Sequence, residues 1–351
     1  MFQKLKDYLY STAESQEQPK FEYALNKEQK MQLKSSEEKP TVVALYDKSG
    51  GTTYCDLTVD YFKSKGLEVT PVTPSEGLNH PVFKGKVHGI YLPGGPNVPV
   101  NDSSDPRKQF EGELTHLAKE SDIPLLGICR GLQTIGHHHG YDVSDIPEDH
   151  EQRQPHYDTF DTVYKETEDP TFNNKVVVRR GSLLHQSLQY KLKHKDDKDI
   201  EYNVTCLHHQ HMKEDEVNRN LWVSGYSKHD GLVESVEKRT GRFWSAGLQH
   251  HPEAVISSCE DARKEKIKEL EAQLEHSRST SNYLDPDFSI HAEISYASQM
   301  RRVRNTRTRD EKAARAELGF FTKQVKHNYL AQAPKRVVQE TSYEDYLFSC
   351  N

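Results

Sequence analysis

Residues 41–258 read as an α/β domain, a mostly parallel sheet with helices on both faces. Three observations predict it. Short apolar or β-branched runs alternate with helical segments between Thr41 and Ile128. The run Gly89 to Leu92 stops at a turn signal, Pro93-Gly94-Gly95-Pro96. A further run, Ile123 to Ile128, is delivered without a spacer into Gly127-Ile-Cys129-Arg-Gly131 and a helix.

The elements follow in order. Thr41 to Tyr46 is a β-branched strand, Asp56 to Lys65 a helix that Gly66 ends, and Leu67 to Val72 a second extended stretch. After the strand at Gly89 to Leu92, Arg107 to Glu120 has helical spacing and precedes the strand Ile123 to Ile128. Beyond Gly140, the runs Lys175 to Arg179, Tyr202 to Leu207 and Leu221 to Tyr226 suit an antiparallel continuation of the same domain. From 259 onward the pattern is helical. Cys259 to Arg278 carries the narrow stripe Ile267, Leu270, Leu274, and helices are predicted at His291 to Arg304 and Asp310 to Tyr329. Polar loops containing Pro286 and Pro334 interrupt this part. The organisation is a polar N-terminal extension (1–40), a catalytic domain (41–258) and a charged, mainly helical C-terminal extension (259–351), expected to serve association or partner recognition.

Composition narrows the function. The 351 residues are 34% hydrophobic and 29% charged, against roughly 45–50% apolar in an average domain, so polar segments dilute the core. A formal net charge of -7 gives no whole-chain field for nucleic acid or anionic lipid, and nucleic-acid binding is not expected. A local basic stripe, beginning RRVRNTRTR at Arg301, is the exception. No apolar run is long enough to span a bilayer and the N-terminus lacks a signal-peptide pattern, which predicts a cytoplasmic protein without membrane association. The five cysteines are widely spaced without a CxxC pair, so neither a disulfide framework nor a zinc ribbon is expected.

Cys129 is the candidate nucleophile. A cysteine flanked by Gly127 and Gly131 between strand and helix is the thiol counterpart of the Gly-x-Ser-x-Gly elbow, whose sharp turn exposes the nucleophile above the sheet. The helix N-terminus behind it favours a thiolate. A base is supplied by Gly247-Leu-Gln-His250-His251-Pro-Glu253. On an extended strand His251 and Glu253 point the same way, so the carboxylate orients the imidazole, while His250 faces away as a packing or surface histidine. Backbone N–H groups of Arg130 and of Gly95 or Gly94 are the candidate oxyanion donors. The 19 histidines do not make a metal site by spacing, and no nucleotide-binding motif is present, so no metal or cofactor is expected.

Leu92-Pro-Gly-Gly-Pro96, Gly127-Ile-Cys-Arg-Gly-Leu-Gln133, Leu207-His-His-Gln210, Asp230-Gly-Leu-Val-Glu234 and Gly247-Leu-Gln-His-His-Pro-Glu253 occur in an order that resembles class I glutamine amidotransferases. The likeness is nearest to the gamma-glutamyl-gamma-aminobutyrate hydrolase type of cysteine peptidase. It implies a flavodoxin-like domain with a Cys129, His251, Glu253 triad that cleaves a gamma-glutamyl amide through a thioester. It also implies that Gln133, His208 and Gln210 lie near a small-molecule or peptide gamma-glutamyl substrate, with Gly94 beside them. The chain departs from the family where Gly136-His-His-His-Gly140 replaces an Asn-x-x-x-Gly-Gly stretch. Two other readings share the residues: a glutaminase subunit passing ammonia to a separate synthase, and an amidotransferase-like scaffold with an interaction tail.

Overall fold

The computed structural model describes residues 25–36, 38–47, 52–99, 101–147, 174–196, 198–213, 220–238, 244–280 and 286–331. Most of the N-terminal extension, the segment around Pro334 and Cys350 lie outside these residues.

Helix α1 (Lys27–Ser35) opens with a capping box in which Gln29 N–H donates to Asn26 Oδ1 at 2.8 Å and Asn26 N–H to Gln29 Oε1 at 2.9 Å. Strand β1 (Thr41–Leu45), helix α2 (Thr52–Ser64), β2 (Glu68–Val72), β3 (Gly89–Leu92), α3 (Pro106–Glu120), β4 (Leu125–Ile128) and α4 (Arg130–His138) follow. Every residue of β3 and β4 is buried, as expected of parallel strands covered on both faces. The chain continues through β5 (Val143–Asp145), β6 (Asn174–Val178), α5 (Leu183–Leu192), β7 (Ile200–Val204), β8 (Gln210–Met212), β9 (Trp222–Ser227), β10 (Val233–Glu237) and β11 (Ser245–Leu248). Three helices close it: α6 (Pro252–Thr280), α7 (Pro286–Asn305) and α8 (Arg309–Leu330).

Nine strands form one sheet in the order β2-β1-β3-β4-β11-β10-β9-β6-β7, and β5 pairs with β8 in a separate ribbon. The first five strands are parallel. Their order is the 2-1-3-4-5 arrangement of the flavodoxin-like fold, with β11 returning from far along the chain to take the fifth place. From β11 to β7 every pairing is antiparallel, the continuation that the β-rich middle of the sequence predicts.

Two apolar layers sandwich the sheet. On one face Phe110, Leu114, Leu132 and Ile135 of α3 and α4 pack on Val43, Ile90 and Leu125. On the other, Phe62 of α2, Leu188 of α5, Val255 of α6 and Phe321 of α8 pack on Val42, Tyr91 and Leu126. The Phe62 and Phe321 rings lie 5.1 Å apart, and Trp244 and Phe320 5.3 Å apart.

Helix α8 thus packs on the same sheet as the elements before 258/259, where the sequence reading divides the chain. That boundary falls inside α6, and α8 buries Ala313, Ala314, Leu318, Phe320, Phe321 and Val325 against the sheet layer. The stripe on α6 finds its partners within the same chain: Leu270 is buried, and α6 packs against α7 and α8. Arg263 and Arg315 converge on the buried Glu311 and so link α6 to α8. Burying an aromatic side chain such as Phe321 is worth about 1.5–3 kcal/mol, enough to dock a helix whose exposed side is highly charged.

Candidate active site

The site gathers at the carboxyl ends of β3, β4 and β11, the edge at which open α/β sheets bind ligands. Cys129 follows β4 with φ 53° and ψ -107°, a conformation costly for a non-glycine residue and held by its surroundings. The flanking glycines make the turn possible by close approach. A Cβ on Gly131 would stand 2.2 Å from Leu92 O, and one on Gly127 would stand 2.4 Å from the Gly131 carbonyl. Cys129 N–H donates to Leu248 O at 2.7 Å, which ties the elbow to the strand leading to His251.

His251 and Glu253 meet, by a route other than the extended strand expected. Strand β11 ends at Leu248 and α6 begins at Pro252. Proline suits the first helical position, where its fixed φ is already helical and its missing N–H is no loss. His251 is thus the residue before the helix, and Glu253 reaches back from the first turn so that His251 Nδ1 lies 2.7 Å from its Oε1. With Nδ1 on the Glu253 carboxylate, Nε2 is the ring nitrogen on the side of Gly94. His251 N–H donates to Thr205 O at 2.8 Å, which fixes the backbone. Burial pushes the His251 imidazole down, but the Glu253 carboxylate and a hydrogen bond with Cys129 outweigh it and hold the ring up at about 10. Gly94 lies against both groups: a methyl placed there would stand 3.1 Å from His251 Cε1 and 3.4 Å from Cys129 Cβ.

Burial pushes the thiols of Cys55, to about 12, and of Cys206 and Cys259 upward, so these remain protonated near neutrality.

Arg130 contributes more than the backbone N–H expected of it. Its side chain is buried, with Nε 2.9 Å from Glu111 Oε1 and Nη2 3.1 Å from Oε2, while Nη1 donates to Pro96 O at 3.2 Å and Asn97 O at 3.3 Å. Glu111 also accepts from Arg107 Nε at 2.8 Å and from Thr134 Oγ1 at 3.1 Å. The sequence reading missed Arg107 and Glu111, although their i,i+4 spacing on a helix of opposite charges was a usable signal.

The residues expected beside the substrate are buried and engaged. Gln133 Nε2 donates to Gln210 O at 2.8 Å and to Gln249 Oε1 at 3.3 Å. Gln210 uses both ends of its amide on Val98, accepting from its N–H at 2.7 Å and donating to its carbonyl at 3.3 Å. Gln210 therefore fixes the loop after Pro96 through its side-chain amide. His208 Nδ1 donates to Gln210 O at 2.9 Å, and its Nε2 lies 3.7 Å from Glu234 Oε1.

Behind the site lies a polar cluster. His250, expected as a packing or surface histidine, is fully buried between Glu317 of α8, 2.8 Å from Nε2, and Glu234, 3.4 Å from Nδ1. Burial pushes this ring down too, but the two carboxylates hold it up at about 9. Tyr202 donates a short hydrogen bond to the same Glu317. Cys206, His208 and Glu234 place ligand-type atoms within 4.8 Å of one another. Asn174 Nδ2 donates to Cys206 Sγ at 3.5 Å and Glu234 Oε1 at 3.1 Å. With the His250 cation facing the other Glu234 oxygen, the group reads as a hydrogen-bonded core network.

The sheet order is that of a flavodoxin-like domain, and the site is built on its strand-to-helix elbow. The chain belongs to the Peptidase C26 family, whose model matches residues 71–253. It is 32% identical over 88 residues to the gamma-glutamyl-CDP-amidate hydrolase of Campylobacter jejuni, a match covering 24% of this chain and 42% of that protein. The chain thus spans less than half the length of this curated relative. Among solved structures it is similar to a glutamine amidotransferase from Thermotoga maritima, at 15% identity and TM-score 0.46 over 82% of this chain and 99% of that one. Another is a glutamine amidotransferase from Methylobacillus flagellatus, at 13% identity and TM-score 0.42 over 87% and 97%. Among the described residues no helix is long and apolar enough to cross a membrane.

Proposed function

We propose that the protein hydrolyses a gamma-glutamyl amide by covalent catalysis at Cys129. The observation that carries this reading is the convergence of an elbow cysteine with an imidazole that is itself held by a carboxylate at 2.7 Å. Membership of the Peptidase C26 family and the partial likeness to a gamma-glutamyl-CDP-amidate hydrolase support the substrate class.

In the proposed reaction, the Cys129 thiol gives its proton to His251 Nε2 and Sγ attacks the gamma-carbonyl carbon, whose oxygen becomes an oxyanion stabilised by the backbone N–H groups of Arg130 and Gly95. Collapse of this intermediate breaks the C–N bond, and the leaving nitrogen takes a proton from His251 Nε2. Water then attacks the thioester, giving its proton to His251 as the carbon–sulfur bond breaks. Glutamate leaves, and His251 returns that proton to sulfur to restore the thiol. Glu253 keeps the ring in the tautomer that both half-reactions need.

The same chemistry on glutamine would release ammonia, and a glutaminase subunit is the second form of the reading. Association through the C-terminal part is a proposal confined to the outer face of α7, where Arg301, Arg302 and Arg304 are exposed. The test is glutamate release by the purified chain from glutamine, gamma-glutamyl-anilide and gamma-glutamyl conjugates of nucleoside-diphosphate amidates. Turnover is expected on at least one, absent in a folded Cys129→Ala variant. An electrophilic glutamine analogue should label Cys129 alone. Labelling at Cys55 or Cys206 instead would remove the assignment.

A further inference from the structure

Four carbonyls of the turn after β3 meet arginine. Arg107 Nη2 donates to Pro93 O at 3.1 Å and Gly94 O at 2.9 Å, and Arg130 Nη1 takes the carbonyls of Pro96 and Asn97. The guanidinium of Arg107 is itself fixed: Nε lies 2.8 Å from Glu111 Oε1 and Nη1 3.4 Å from Asp47 Oδ2. Its side chain is 6% exposed and that of Glu111 0%. Two buried arginines thus share one buried carboxylate, one gripping the turn that follows β3, the other standing at the first position of the helix behind Cys129.

A planar trans peptide carries its N–H on the side opposite its C=O, and among the described residues there is no cis peptide. Because the Gly94 carbonyl points at Arg107, the N–H of the same peptide unit, which belongs to Gly95, points away from it. His251 and Cys129 lie against the same glycine, since a Cβ on Gly94 would stand 3.1 Å from His251 Cε1 and 3.4 Å from Cys129 Cβ. Arg107 also lies directly against the glycine, for a Cβ on Gly95 would stand 2.3 Å from its Nη1. Two successive glycines have no side chain to restrict φ and ψ, so nothing local prevents this peptide from turning over. A turned peptide would present a carbonyl dipole to a developing negative charge.

We propose that Arg107 is a positioning residue of the acyl-transfer site, holding the Gly94–Gly95 peptide so that the Gly95 N–H faces the oxyanion, with Glu111 coupling this donor to the Arg130 N–H. The inference rests on the gamma-glutamyl hydrolase reading given above. It is also specific: Arg107 acts on the step in which an oxyanion forms and leaves the attacking thiol untouched.

The experiment compares wild type with Arg107→Lys, Arg107→Ala and Gly95→Ala, the last retaining the arginine but forcing it from its seat. For each, kcat and KM on a gamma-glutamyl substrate that wild type turns over are measured beside the rate of Cys129 alkylation by iodoacetamide, a displacement at a saturated carbon that needs no oxyanion donor. Loss of one donor costs about 10²–10³ in kcat. A fall of about that size in kcat is expected in all three, with KM and alkylation within a few-fold of wild type and partial rescue of Arg107→Ala by free guanidinium. Unchanged kcat in the folded variants, or an equal fall in alkylation and turnover, would overturn the inference. If Arg107→Ala does not fold, Arg107→Lys and Gly95→Ala decide it by the same two rates. Absence of turnover by wild type on every gamma-glutamyl substrate, with Cys129 still alkylated, would instead count against the proposed function.

Discussion

Glu317, on α8, lies 2.8 Å from Nε2 of His250, the neighbour of His251. The ring donates to a carboxylate more than sixty residues away in sequence, so the backbone that carries the candidate catalytic histidine is anchored to α8. Glu234 from β10 faces the other ring nitrogen and Tyr202 packs edge-on, with its hydroxyl on the same Glu317.

This anchor predicts a pH dependence. His250 is raised from its ordinary 6.5 to about 9, so the folded state holds a proton that the unfolded chain releases. The stabilisation is fully present below pH 6.5 and is lost as pH rises through about 9. The stability advantage of wild type over His250→Gln should shrink by about 1.4 kcal/mol per pH unit inside that window. Urea unfolding at a series of pH values measures it, and parallel curves for the two proteins would refute the assignment.

Substitutions in the proposed triad should rank. His251→Asn removes the group that transfers protons, whereas Glu253→Gln leaves the ring and loses its orienter, a change that costs on the order of 10⁴ in kcat in the comparable serine triad. His251→Asn is therefore expected to be the more damaging on a gamma-glutamyl substrate. The reverse order would assign proton transfer to another group.

Arg130→Ala would keep its backbone N–H yet remove a buried partner of Glu111 and the donor to the Pro96 and Asn97 carbonyls. Breaking such a buried pair typically costs about 3–5 kcal/mol. A lowered melting temperature and lowered activity are expected together, in place of the near-normal enzyme that a backbone-only role predicts. Calorimetry showing an unchanged melting temperature would restore the simpler role.

Truncation after Ser258 is expected to give an insoluble or unfolded product, because it strips α8 from Phe62, Tyr91 and Trp244 and leaves His250 without Glu317. This reverses what a detachable tail would do. Circular dichroism and light scattering on the truncated chain are the check, and a soluble fragment with native turnover would show that the last helix is dispensable.

The local sequence determined the parts whose cause is local. Gly127 and Gly131 around Cys129, the apolar runs of β1, β3 and β4, and the His-Pro-Glu spacing each act within a few residues, so Cys129, His251 and Glu253 were legible as candidates before any fold was known. Even there the reason needed correction: Pro252 starts a helix, and Glu253 turns back from its first turn instead of lying along a strand. What only the tertiary structure decided depends on contacts distant in sequence. Nothing near Arg107 announces that its guanidinium meets the carbonyls of Pro93 and Gly94, and nothing near His250 announces Glu317. The α8 helix looked like a charged appendage because Arg309, Lys312 and Arg315 dominate its composition, while Phe320, Phe321 and Val325 reveal their role only against the sheet. Hydrophobic burial has no direction along the chain, and a helix with one apolar face records that it must be covered without recording what covers it.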